Sequence, residues 1–180
     1  MKKVILSFCA VTLFAFTASA QFHFEFGLNG NLPQGDAADT YSFGAGVYLE
    51  PRYAMSDNLD VGLLIGFNGL AGGDINSVGT ANTEVSAAAV VPVLGTGTYR
   101  FSGNKVSPYA GAGIGLYFVK TGEASVSGMV VAESATESEF GFAPRAGVFI
   151  GRLNLGVAYN IAGDLKYMQF NLGVRILGRG

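Results

Sequence analysis

SPYAGAGIGLYFVK, Ser107 to Lys120, places glycine at every second position, with Gly111, Gly113 and Gly115 lying between Tyr109 and Tyr117. The interleaved set reads Ala110, Ala112, Ile114, Leu116, Phe118. Successive side chains of a strand point to opposite faces, so this segment has one wholly apolar face and one glycine track closed by tyrosines. Glycine weakens a strand by roughly 0.5–1 kcal/mol relative to alanine, so three in alternation need a reason in packing. A phosphate-binding loop would require a helix after the glycines. Here Leu116, Tyr117 and Phe118 continue the strand.

The same division into two sets extends along the chain. Phe22, Phe24, Phe26 and Leu28 alternate with His23, Glu25, Gly27 and Asn29. Tyr41, Phe43, Ala45, Val47, Leu49 and Tyr53 stand opposite Ser42, Gly44, Gly46, Tyr48, Glu50 and Arg52, and Leu59 to Phe67 repeats the pattern against Asp60, Gly62, Leu64, Gly66 and Asn68. A fourth strand, from about Glu84 to Phe101, is less tidy: Val90, Pro92 and Leu94 share a parity with Glu84, Thr96, Thr98 and Arg100, and Pro92 predicts a bulge. Ser107 to Phe118 is the fifth strand. The last three are Glu139 to Ile150, Leu153 to Ile161 and Tyr167 to Ile176. Connectors alternate between short (Met55 to Asn58, Ser102 to Ser107, Gly151 to Asn154) and long (Asn31 to Thr40, Ala71 to Thr83, Thr121 to Ser138), with Ala162 to Lys166 of modest length. The expected fold is all-β, an eight-stranded antiparallel up-and-down transmembrane β-barrel, with no helix after residue 20.

Charge decides which face meets lipid. The apolar sets contain no Asp, Glu, Lys or Arg, whereas the opposite sets carry Glu25, Glu50, Arg52, Asp60, Glu84, Arg100, Glu139, Arg145 and Arg175. An arginine or lysine facing lipid at mid-depth costs about 2–4 kcal/mol. A soluble barrel would need Phe, Leu, Ile and Val crowded inside an outer wall of glycine. The polar sets therefore belong inside, where an eight-stranded barrel is just filled by side chains. Glu25, Glu50, Arg52, Asp60, Arg100, Glu139, Arg145 and Arg175 are expected to form a lumen charge network of about five acids and four arginines, Glu84 included. Tyr109, Gly111, Gly113, Gly115 and Tyr117 form the small and aromatic lumen face. Tyr41, Tyr53, Tyr99, Phe101, Phe118 and Tyr159 are placed to form aromatic girdles.

Lys2 and Lys3, the apolar run Val4 to Phe16 and the small triplet Ala18, Ser19, Ala20 read as a signal peptide, residues 1–20, cleaved near Ala20. A run of thirteen residues is short of the roughly 20 that a spanning helix needs. The leader holds Cys9, the only cysteine, leaving residues 21–180 as one barrel domain without thiol chemistry. The formal net charge of −2 excludes a strongly basic nucleic-acid binder, and 13% charged residues are too few for a well-solvated soluble surface.

The segments VPVLGTGTYRF, SPYAGAGIGLYF, FGFAPRAGVFI and FNLGVRI resemble the small outer-membrane β-barrel family that includes the OmpA transmembrane domain and OmpX. The resemblance implies residence in the outer membrane of a Gram-negative bacterium, contact with its lipid, and short turns on the periplasmic side. The C-terminal Ile176-Leu-Gly-Arg-Gly180 departs from the terminal aromatic common in the family. No peptidoglycan-binding domain like that after the OmpA barrel is expected.

One histidine, His23, and no spaced ligand cluster give no expected catalytic, cofactor or metal site. The loop acids Asp36, Asp39, Asp74, Glu123, Glu133 and Glu137 read as solvated. The expectation is a barrel without enzymatic activity, with a structural or surface-interaction role. Its polar lumen is largely plugged, and its long loops are open to an extracellular ligand or protein. The alternatives are a narrow porin-like pore and a lipid-modifying barrel enzyme. If the charge network is the plug, Arg145→Ala should raise conductance and lower stability.

Overall fold

The structure is a computed structural model that describes residues 21–177 apart from 73, 76–82, 86–87, 103–104, 122–123, 127–128 and 133–135. The expected leader and its cleavage point lie outside the described residues, except that Gln21 opens them.

Eight strands close a barrel: β1 (Phe22–Gln34), β2 (Tyr41–Ala54), β3 (Leu59–Gly72), β6 (Ala88–Arg100), β7 (Val106–Thr121), β10 (Thr136–Ile150), β11 (Leu153–Ala162) and β12 (Leu165–Leu177). All barrel pairs are antiparallel, and β1 closes the ring by pairing with both β2 and β12. Four short strands, β4 (Asp74–Ile75), β5 (Thr83–Val85), β8 (Ala124–Val126) and β9 (Met129–Ala132), pair in a separate sheet built from the two longest connections. Closure satisfies every edge, which a strand in hydrocarbon requires because lipid offers no hydrogen bonds.

At one end of the barrel the connections are short, spanning residues 55–58, 101–105 and 151–152. The other end, the long-loop end, carries the small sheet, a five-residue helical turn Asp36–Thr40 and the turn at residues 163–164. That helical turn is the one departure from an all-strand expectation among the described residues. Gly151 and Gly163 open the two-residue turns with φ of 60° and 55°, the left-handed backbone that tight hairpins ask of their first residue.

The outward faces are as the alternation predicts. Phe26, Leu28, Val47, Leu63, Ile65, Phe67, Ile114, Leu116, Phe142, Leu155, Phe170 and Leu172 are all exposed on the barrel's outside. Tyr53, Tyr99 and Phe101 stand exposed at the short-turn end, where the Tyr99 and Phe101 rings meet edge to face at 5.5 Å, and Phe118 stands exposed toward the long-loop end.

Three details differ from the sequence reading, each for a local reason. Tyr41 is buried, not part of a girdle, because the β2–β3 register shifts between Tyr41 and Phe43 and turns Tyr41 inward. The fourth barrel strand starts at Ala88; the segment holding Glu84 belongs to the small sheet, where Glu84 is paired with Asp74 and Ser125. Pro92 marks no bulge. Its ladder to β7 is continuous, while the ladder to β3 is interrupted between Ile65↔Val93 and Asn68↔Val90 without any slip. Pro51 and Pro144 sit at the same kind of gap, between Leu49↔Ile65 and Arg52↔Gly62 and between Phe142↔Ile161 and Arg145↔Ala158. Each proline lacks an N–H, so the ladder opens on one side of it and the register carries on.

The glycine track is explained by what lies against it. A Cβ on Gly111 would meet the backbone oxygen of Gly97, and one on Gly115 the backbone oxygen of Val93, both on β6. At Gly113 the nearest atoms are side-chain carbons of Leu94 and Thr96, at 3.2 and 3.5 Å. Neighbouring backbone cannot withdraw without disturbing the ladder, whereas a leucine can shift. Gly111→Ala is therefore expected to destabilise the barrel by about 1–3 kcal/mol, the cost of overpacking, and Gly113→Ala by less. Urea unfolding of the two variants side by side checks the difference; equal values would remove backbone approach as the reason.

Candidate functional site

Among the described residues, the lumen is the one place where the fold gathers buried charge. Alternation sends Glu25 from β1, Glu50 and Arg52 from β2, Asp60 from β3, Arg100 from β6, Arg145 from β10 and Arg175 from β12 inward, toward the short-turn end. Glu50 is the hub. Arg145 grips it with two bonds, Nη1 donating to Oε2 at 2.9 Å and Nη2 to Oε1 at 2.7 Å. Arg52 Nη2 donates to Oε2 at 2.7 Å and Thr96 Oγ1 to Oε1 at 2.6 Å. In the ring of strands, β10 and β2 lie four steps apart in either direction. The Arg145–Glu50 pair therefore crosses the full width of the barrel.

Glu25 completes this layer. It accepts hydrogen bonds from Tyr48 at 2.7 Å and Asn154 at 2.6 Å, both on Oε1, while Arg52 Nη2 lies 3.2 Å from Oε2. That last contact is an ion pair without hydrogen-bond alignment, because Oε2 has no hydrogen-bond partner. Arg100 donates to Asp60 at 3.1 Å, and His23 Nε2 stands 3.9 Å from the other Asp60 oxygen. Arg145 also donates to Thr98. Arg175 has a different neighbour: its guanidinium lies 4.1 Å from the centroid of Phe149, whose ring stacks on Tyr109 at 4.6 Å.

Toward the long-loop end the lumen changes character. Tyr41, Leu70, Ala88, Val90, Leu94, Tyr117, Ala143, Ala162 and Tyr167 form one buried apolar cluster. Tyr117 spans to β11, donating to Asn160 at 2.8 Å, and Asn160 donates in turn to Gln169 at 3.0 Å. Inward tyrosines take the space that glycines leave on strands one or two places round the ring: Tyr48 beside Gly27 and Gly173, Tyr109 beside Gly147 and Gly156, Tyr117 beside Gly141. The lumen thus holds two layers in series, a charged strut below and an apolar cluster above.

Of the expected network, seven residues meet in the charged layer and Glu139 does not. Glu139 is exposed at the long-loop end, against Gly163, beside a 260 Å³ cavity that Asp36, Tyr41, Glu137, Asp164 and Leu165 also line. The layer's balance also differs from the expected five acids and four arginines. Among the described residues it holds Glu25, Glu50 and Asp60 against Arg52, Arg100, Arg145 and Arg175. Tyr109 and Tyr117, at the ends of the glycine track, lie in the charged layer and the apolar cluster respectively.

Sequence reasoning missed the apolar cluster and the neutral partners Tyr48, Thr96, Thr98, Asn154 and Phe149. The signal for the cluster was present in the untidy parity of β6, where Val90 and Leu94 share the inward face with Thr96 and Thr98. Among the described residues no three His, Cys, Asp or Glu side chains converge as metal ligands.

The model of the outer membrane protein beta-barrel domain family matches residues 6–176. In structure the chain is similar to OprG from Pseudomonas aeruginosa, with TM-score 0.58 and 12% identity, over 88% of this chain and 96% of that one. Neisserial surface protein A is similar with TM-score 0.52 at 12% identity, over 88% of this chain and 97% of that one. Ail, the attachment invasion locus protein of Yersinia pestis, is similar with TM-score 0.50 at 19% identity, over 87% of this chain and 98% of that one. These are likenesses of fold. No curated protein sequence matches the chain.

Proposed function

We propose, from the premise that the chain belongs to the outer membrane protein β-barrel domain family and resides in the outer membrane, that it is a closed barrel whose role is structural and surface-interacting. It is neither a pore nor an enzyme. The observation that carries this reading is the Arg145–Glu50 pair running across the barrel beneath an apolar cluster. A buried bidentate pair opens only at the cost of exposing two unpaired charges, and the lumen above it is filled by Leu94, Tyr117 and Tyr167. The remaining place for interaction is the long-loop end, where loops on a rigid scaffold carry function and where the two longest connections pair in the small sheet.

The same geometry supports reading the barrel as one without enzymatic activity. His23, the only histidine, lies in the charged layer at the short-turn end beside Asp60, its Nε2 without a hydrogen-bond partner, at the opposite end of the barrel from the long loops. In this reading the short-turn end, with the mature N-terminus after cleavage near Ala20, faces the periplasm of a Gram-negative bacterium, and the loop end faces out.

Cysteine substitutions test the orientation, since the barrel region has no cysteine of its own. Asp164→Cys, at the loop end, should react with a membrane-impermeant maleimide on intact cells. Gly151 is in a turn with positive φ, so Arg152→Cys is the better reporter for the short-turn end, and it should react only after the outer membrane is permeabilised. The reverse pattern would turn the barrel over and remove the surface role.

A further inference from the structure

Among the described residues, every carboxylate in the charged layer has an arginine, but one arginine has no carboxylate. Glu50 is held by Arg145 and Arg52, Glu25 by Arg52, and Asp60 by Arg100. Arg175 lies directly opposite Glu25 in the β1–β12 register, yet it forms no ion pair and places its guanidinium over Phe149. It is only 6% exposed, and both Nε and Nη2 are buried without a hydrogen-bond partner. These two N–H groups form one edge of the guanidinium and point the same way, the fork that grips two oxygens of a carboxylate or phosphate at once. Nearby unpartnered nitrogens lie on the same layer: Arg52 Nε and Nη1, Arg100 Nε and His23 Nε2. Against them stand single unbonded oxygens of Glu25, Asp60 and Asn154. The layer has more donors than acceptors and one more arginine than carboxylates.

We propose that the Arg175 fork binds a small oxyanion, a phosphate or carboxylate group, at the short-turn end of the lumen. Phe149 holds the guanidinium by its face and leaves the Nε/Nη2 edge for the anion. A spherical anion satisfies that edge less well than two oxygens spaced to match it. The inference does not depend on whether the lumen conducts, because Arg175 stands beside the short turn at 151–152, its backbone N–H donating to the Arg152 carbonyl oxygen.

The test uses the full barrel folded in lauryldimethylamine oxide micelles, which contain neither phosphate nor carboxylate. Sodium phosphate, and separately sodium acetate, is titrated against sodium chloride at constant ionic strength while the Arg175 Nε–H resonance is followed by NMR. The expected result is a saturable shift with phosphate and acetate and none with chloride. Arg175→Lys, which keeps the charge and removes the fork, should abolish it; if that variant does not fold, single lysine substitutions of Arg52, Arg100, Arg145, Arg152 and Arg179 assign the resonance by elimination and the wild-type titration decides. In lipid nanodiscs, a shift already present before phosphate is added identifies a lipid headgroup as the source, and a shift only on addition identifies a free anion; both uphold the site. An equal response to chloride, no saturable shift, or a persistent water contact at the Nε–H would overturn it.

Discussion

Glutamine in place of Glu50 is expected to lower the stability of the barrel by about 3–5 kcal/mol, the cost of stranding buried partners of an ion pair. The two residues match in shape, so the loss is of charge alone. Arg145 loses both bonds of its fork and Arg52 loses its 2.7 Å partner, which leaves four arginines in the layer with only Glu25 and Asp60. The second half of the prediction separates pairing from packing. Combining Glu50→Gln with Arg145→Met should recover a large part of the loss, because a buried pair replaced by neutral groups of similar volume is often close to neutral. Reversible urea unfolding in lipid vesicles measures all three proteins. A loss under about 1 kcal/mol for Glu50→Gln would mean that this carboxylate is solvated, as exposed pairs are.

The second large effect lies on the other face. Ile114 is at the middle of β7, 55% exposed and paired with Gly95 and Phe142. Ile114→Arg should cost about 2–4 kcal/mol, the price of a mid-depth arginine in lipid, and should reduce the folded fraction on refolding into vesicles, read by heat-modifiable gel migration. Were the same face turned to water, as in a soluble barrel, an arginine there would be nearly neutral. An unchanged folded fraction would therefore contradict the orientation of the whole wall, since every strand shares that alternation.

Much of this was legible in the chain because a period of two is a strong constraint. A slip of one residue flips every side chain, so the charge-free parity of β1, β3, β7, β10, β11 and β12 had one consistent solution. Where a bulge intervened, at Tyr41 and Phe43, the alternation was misread by one position. Strand ends were also underestimated: β1 runs to Gln34 and β3 to Gly72, because polar residues such as Asn31 and Gln34 read as loop although the ladder to β12 continues through both. The gathering of Glu50, Arg52 and Arg145 followed from parity, but their partnership did not. Which acid meets which arginine depends on positions around the ring, and a single strand carries no record of that. Glu139 shows the limit, being inward by parity yet too close to the loop end to reach the others. The apolar cluster was hidden for a related reason, since valine and leucine on an inward parity look like noise until Tyr117 and Tyr167 are seen to pack on them.

That cluster changes what Arg145→Ala should do. From the chain alone the substitution was expected to raise conductance as well as weaken the fold. On the closed-lumen reading, in which Leu94 and Tyr117 fill the lumen above the strut, the loss of stability stands, but a current should require both layers to be opened. The direct measurement is single-channel recording of the purified barrel in planar bilayers. The wild type and Arg145→Ala should give no steps above the bare bilayer, and Arg145→Ala combined with Leu94→Ala and Tyr117→Ala should give them. Resolved steps from the wild-type barrel would contradict a closed lumen and return the narrow pore as its function.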